Sequence, residues 1–134
     1  SGKFECRWVR LVSDPRSPCI FTAGLSETIY CPVAHGEGRV IARDQDTLDA
    51  LEDCHQVALR YASGDGSEVV YPDNPNGSQH NIAALCNAAG NVMGMMPHPE
   101  DHIWPMQNPG FHRGRSGQSG LALFENGINY AAQI

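Results

Sequence analysis

Pro97, His98, Pro99 and Glu100 place an imidazole and a carboxylate two positions apart. The motif follows the apolar run from Val92 to Met96, which reads as a strand. It therefore falls at a strand's C-terminal end, where open α/β sheets place their ligands. In an extended backbone, residues two apart point to the same side. His98 and Glu100 are thus expected to lie together, with Pro99 stiffening the link and adding no competing donor. A carboxylate beside an imidazole fixes its tautomer and stabilises the imidazolium, leaving the other ring nitrogen free as a base. That pairing suits activation of a thiol or hydroxyl nucleophile. Spacing alone leaves two other readings open. The two residues can share a turn without any role, or His102 can join them in a two-histidine, one-carboxylate metal set.

Two further stretches carry polar groups on permissive backbone. His35-Gly36-Glu37-Gly38 offers a second imidazole and carboxylate where glycines allow close backbone approach, or forms an ordinary tight turn. Residues 74–78, Asn-Pro-Asn-Gly-Ser, are made of turn formers and invite the same two readings. Met93, Met95 and Met96 read as core filling. Trp8 and Trp104 stand in no pattern that singles them out.

These motifs need elements to hold them. Residues 4–12, 28–34, 56–61, 82–86 and 92–96 read as strands from their alternating or apolar runs. Pro32 puts the second near a sheet edge or a bulge, and the turn at 87–91 joins the last two as a hairpin. Leu48 and Leu51 at helical spacing predict a helix over 44–53, capped by Asp46 or Thr47. Residues 97–118 show no periodicity, and such a loop in a compact domain is more often functional than idle. Leu121, Phe124, Ile128 and Ala131 or Ala132 mark one face of a final helix. The pattern is mixed α/β with more strand than helix, in one domain and without internal repeats.

Composition narrows the partners. The 134 residues carry a formal net charge of -6, are 41% hydrophobic and only 18% charged, which argues for a packed core and against disorder. Nucleic acid and anionic membrane both reward clustered Lys and Arg. The closest approach to such a cluster is Arg113 and Arg115, set among glycines. No run of about 18 apolar residues is present to span a bilayer, and the first residues lack the layout of a signal peptide. The five cysteines form no C-x-x-C pair. This is the usage of a reducing cytosol, and it supports neither a disulfide scaffold nor a zinc site. A cytoplasmic protein without metal or cofactor is expected.

Taken in order, residues 1–8 (Ser-Gly-Lys-Phe-Glu-Cys-Arg-Trp), 32–38 (Pro-Val-Ala-His-Gly-Glu-Gly), 56–61, 71–78 and 94–100 (Gly-Met-Met-Pro-His-Pro-Glu) resemble the glutamine amidotransferase subunit or domain of phosphoribosylformylglycinamidine synthase. The resemblance runs from residue 1 to the last helix. It implies a class I Cys-His-Glu triad on a flavodoxin-like α/β fold, of which this chain looks like the strand-rich C-terminal part with its C-terminal helix. In that family a cysteine attacks the side-chain amide of glutamine, a thioester forms, and ammonia leaves for an ATP-dependent synthetase of the purine pathway. By motif, His98 matches the general base and later acid, and Glu100 its orienting carboxylate. His35, Glu37, Asn76 and Ser78 fall in family motifs as candidates for supporting the site or for an interface.

The departures are specific. The family nucleophile sits in a Gly-x-Cys-x-Gly turn between strand and helix, and none of Cys6, Cys19, Cys31, Cys54 and Cys86 has that setting. Asp101 stands where the family carries arginine. Residues 1–134 are therefore expected to be a single partial domain, inactive by itself. Loss of central strands exposes edges and apolar surface, so self-association is expected, to be checked by light scattering. The alternative is a non-catalytic module for oligomerisation or docking, in which replacing His98 and Glu100 by alanine changes nothing.

Overall fold

Alternating side chains do resolve into strands. In a computed structural model, which describes residues 2–114 and 117–133, β1 (Glu5–Ser13), β2 (Ile29–His35), β3 (Val57–Ala62), β4 (Ile82–Cys86) and β5 (Met93–Met95) form one sheet in the order β2-β1-β3-β4-β5. Every neighbouring pair is antiparallel. The α/β class and the strand-rich layout with a C-terminal helix are as expected. The rule about carboxyl ends belongs to parallel sheets, however, so it does not explain where the His98 motif lies.

The core follows from strand period. In β2 the side chains of Ile29, Cys31, Val33 and His35 are buried, and across the register Leu11 faces Ile29 and Val9 faces Cys31. The helix α2 (Leu121–Ala131) covers this face through Leu123, together with Cys19 beside the short three-ten turn Ile20–Thr22. The helix α1 (Gln45–Asp53) sends Leu48 against Val57 and Ile82 in a second, smaller cluster. Its cap is Asp44, not Asp46 or Thr47. Asp44 Oδ1 accepts the Thr47 N–H at 2.8 Å, satisfying one of the free donors of the first turn.

The outer edge of β2 receives the segment that follows β5. Pro32 does lie on an edge strand, where its missing N–H breaks no ladder bond. Its carbonyl, turned outward, accepts the His98 N–H at 2.8 Å, and Tyr30 N–H donates to Gln118 O at 3.0 Å. The described residues of 97–118, read as an irregular loop, contain three three-ten turns, Pro99–His102, Pro105–Gln107 and Phe111–Arg113. No helix among the described residues is long and apolar enough to cross a membrane.

Candidate active site

His98 enters the site as the last residue before a turn. Its backbone (φ -106°, ψ 80°) leads into the three-ten helix Pro99–His102, with Pro99 at the first position, where a ring that fixes φ and lacks an N–H fits best. The pair therefore meets by a different route from the extended segment expected. The turn folds Glu100 back, and His98 Nδ1 lies 2.7 Å from Glu100 Oε1. Both side chains open to solvent, 38% exposed for His98 and 55% for Glu100. Partial burial works to raise the Glu100 carboxyl. The hydrogen bond with His98, a backbone bond and the imidazole's charge outweigh it, and the net shift is below the ordinary carboxylate value. An ionised Glu100 that holds Nδ1 leaves Nε2 as the ring's free proton acceptor.

The same turn removes His102 from any metal set with them. Its side chain is 1% exposed, its Nδ1 lies 2.5 Å from the Tyr30 carbonyl, and its ring packs edge-on against Trp8 at 5.3 Å. Trp8, unremarkable in the sequence, thus seats the end of the turn that carries Glu100. Asp101 takes the place expected of His102. One donor atom from each of His98, Glu100 and Asp101 falls within 4.8 Å of the others.

Behind the turn stands α2. Gly120 N–H donates to His102 O at 2.7 Å. A Cβ at Gly120 would lie 2.5 Å from the Pro99 carbonyl oxygen and 2.8 Å from its Cα. Glycine is needed here for close approach and not for backbone freedom, since φ is -74°.

His35 and Asn76 come together although 41 residues separate them. Asn76 presents Oδ1 to His35 Nδ1 at 2.6 Å and to the Gly38 N–H at 3.2 Å, while its Nδ2 donates to Pro75 O at 3.3 Å. This makes Nδ1 the protonated nitrogen of His35, and its Nε2 is buried with no hydrogen-bond partner among the described residues. Burial holds the His35 pKa below the usual histidine value, and repulsion from nearby His98 adds to that against the opposing pull of Glu5. The ring lies so closely over Gly38 that any Cβ there would overlap it. Ser78 supports the same loop. Its N–H donates to Asn74 Oδ1 at 2.9 Å and its Oγ accepts the Val40 N–H at 3.0 Å. Buried Asn74, read from the sequence only as part of the 74–78 turn stretch, returns a bond to Ser78 O at 2.9 Å. Arg7 ties the loop's start to β1, with its guanidinium on Glu5 at 2.6 Å and on Tyr71 Oη at 2.7 Å. Glu37 is not part of this cluster. It is exposed and makes no side-chain hydrogen bond or ion pair among the described residues.

The cysteines stay apart from this chemistry. Cys31 feels the charges of Glu100 and Asp101, yet it is fully buried on the core face. Burial first, and those two carboxylates second, push its thiol up to about 12. Cys19 and Cys86 are also buried, and Cys6 and Cys54 are exposed.

An imidazole oriented by a carboxylate at an accessible sheet edge has the chemistry to serve as the base half of a hydrolytic site that uses a protein nucleophile. The family model of the CobB/CobQ-like glutamine amidotransferase domain matches residues 1–131, and the chain belongs to that family. It is similar to phosphoribosylformylglycinamidine synthase subunit PurQ of Treponema denticola, 40% identical over 134 residues that cover 96% of this chain and 49% of the relative. The PurQ subunit of Picrophilus torridus is 41% identical over 125 residues, 92% of this chain and 49% of its own. Among solved structures, that of PurLQS from Thermotoga maritima superposes with a TM-score of 0.67 at 32% identity, over 97% of this chain and 49% of that chain. The chain spans about half the length of the curated relatives it matches.

Proposed function

We propose that this chain supplies the general base and its orienting carboxylate to a glutaminase site, as part of the cytoplasmic glutamine amidotransferase component of phosphoribosylformylglycinamidine synthase. The observation that carries this is the 2.7 Å contact between His98 Nδ1 and Glu100 Oε1, within a chain of the amidotransferase family. His98 Nε2 takes the proton of a cysteine thiol, and the thiolate attacks the side-chain carboxamide carbon of glutamine. The tetrahedral intermediate expels the nitrogen, which leaves as ammonia after accepting the proton from His98. Water, deprotonated by His98 in turn, hydrolyses the thioester to glutamate. Glu100 stabilises the imidazolium through both halves of the cycle. The ammonia goes to a synthetase partner that uses ATP to turn formylglycinamide ribonucleotide into its amidine. No cofactor is required of these residues.

The nucleophile comes from outside the 134 residues, because none of the five cysteines has the strand-turn-helix setting that exposes a reactive thiol. Ammonia release from glutamine tests the reading. The intact gene product turns glutamine over, its His98→Ala variant loses roughly 10²–10⁴-fold, and residues 1–134 alone release none. Undiminished activity of His98→Ala, or turnover by residues 1–134 alone, overturns it.

A further inference from the structure

Away from the His98 pair, one pocket gathers donors and no acid. It measures about 410 Å³ and is lined by Arg10, Thr28, Tyr30, Ser63, Asn108 and Arg113, with glycines between them. That volume falls in the range of roughly 300–1,000 Å³ typical of small-molecule sites.

Its cations are unusual for this chain. With 15 acidic residues against 9 Lys and Arg, carboxylates are in excess, and Arg7, Arg16, Arg43 and Arg60 each meet one. Arg10 and Arg113 do not, and among the described residues neither side chain has an ion pair or hydrogen bond. Arg10 instead lies over the Tyr30 ring at 5.2 Å. It is seated against the backbone of Gly64, where a Cβ would stand 2.8 Å from Arg10 Nη1.

A second observation is independent of charge. Asn108 is only 6% exposed, and its Oδ1 is engaged by the Gly110 N–H at 2.8 Å. Its Nδ2 makes no hydrogen bond among the described residues, and Asn108 lines the pocket. Two guanidinium forks without carboxylate partners and the Asn108 N–H₂ make a set in which donors predominate, since the Ser63 hydroxyl already donates to Ser67 O at 2.9 Å. The ligand that answers it is an anion with several acceptor oxygens, and guanidinium forks match phosphate oxygens two at a time. The space exceeds a bare phosphate and Tyr30 lines part of it, so the ligand carries an organic body.

We propose that this pocket binds a phosphomonoester of a small molecule, its phosphate held by Arg10, Arg113 and the Asn108 amide, its body resting on Tyr30. The assignment is independent of the glutaminase reading.

The test is titration of the isotopically labelled intact gene product with inorganic phosphate, phenyl phosphate and succinate, followed by NMR and calorimetry. Phenyl phosphate should saturate and bind more tightly than inorganic phosphate, shifting the Asn108 side-chain amide and the Arg10 and Arg113 Nε–H signals. Arg113→Gln and Asn108→Asp should each weaken it at least about tenfold. The second is isosteric and keeps the acceptor for Gly110, and circular dichroism checks the fold of both. Failure to saturate below roughly 10 mM, or unchanged affinity in both folded variants, overturns the proposal. Succinate binding as tightly as phenyl phosphate also overturns it, and assigns the pocket to a carboxylate ligand.

Discussion

Replacing Gly120 with alanine should damage the site without touching either of its reactive residues. The added Cβ would sit 2.8 Å from Pro99 Cα and 2.5 Å from the Pro99 carbonyl oxygen, with Pro99 Cβ closer still. Carbon atoms pack best at about 3.5–4.0 Å, so either α2 or the Pro99 turn must give by about 0.7–1 Å. Backbone strain adds nothing, because φ is -74° and any residue adopts it. Alanine at a helix cap and the smaller entropy of the unfolded chain are opposing effects of about 0.5–1 kcal/mol each. The overlap then decides the sign, at about 1–3 kcal/mol of lost stability, as for other overpacked sites.

The turn is the softer partner. α2 is held on its far side by Leu123 in the core and by Asn126, whose Nδ2 donates to Phe21 O and Ala23 O at 2.9 Å each. The turn faces solvent through Glu100 and Asp101. A shift of about 1 Å in Pro99 moves the two residues on either side of it, and misplacement on that scale can cost roughly 10²-fold in rate. Gly120→Ala in the intact gene product should lower kcat for glutamine hydrolysis roughly 10- to 100-fold and leave KM little changed. Urea denaturation should show the stability loss. Full kcat in a variant that is measurably destabilised would refute the reasoning, because it would mean that the strain was absorbed by the helix.

Two other predictions rest on burial. His35 has a depressed pKa, so the unfolded chain binds the proton that the folded one refuses. Stability should therefore fall as pH drops below about 6.5, the ordinary histidine value, level off below the folded pKa, and lose this slope in His35→Gln when followed by thermal denaturation. Cys31, with its thiol at about 12 and no exposure, should resist a thiol-specific reagent until the chain unfolds, while Cys6 and Cys54 react first. Fast native labelling of Cys31, located by mass spectrometry, would contradict its place on the core face.

What the sequence makes legible is local. Leu48 and Leu51 mark α1 because helical period is a short-range signal, although its cap is Asp44, found only by noticing that Thr47 lies three residues on. The His98–Glu100 pair is legible because two residues separated by one proline have few ways to stay apart. The extended geometry behind that expectation was wrong, since Pro99 opens a three-ten turn. The His35–Asn76 contact and the seating of His102 on Trp8 were not legible. Each joins segments remote in the chain: the loop at 71–78 brings Asn76 to His35, and the register of β1 on β2 sets Trp8 opposite Pro32, whose carbonyl holds the turn that ends at His102.

The chemistry and its placement therefore reside in different parts of the chain. The imidazole and its carboxylate are written in four consecutive residues. Their position is set by the outward carbonyl of Pro32, by the ring of Trp8 under His102, and by the absence of a side chain at Gly120. None of these three has a catalytic chemistry of its own, and each acts through backbone or packing. A chain that keeps Pro-His-Pro-Glu but fills position 120 would still carry the motif and, on this reasoning, would hold it out of line.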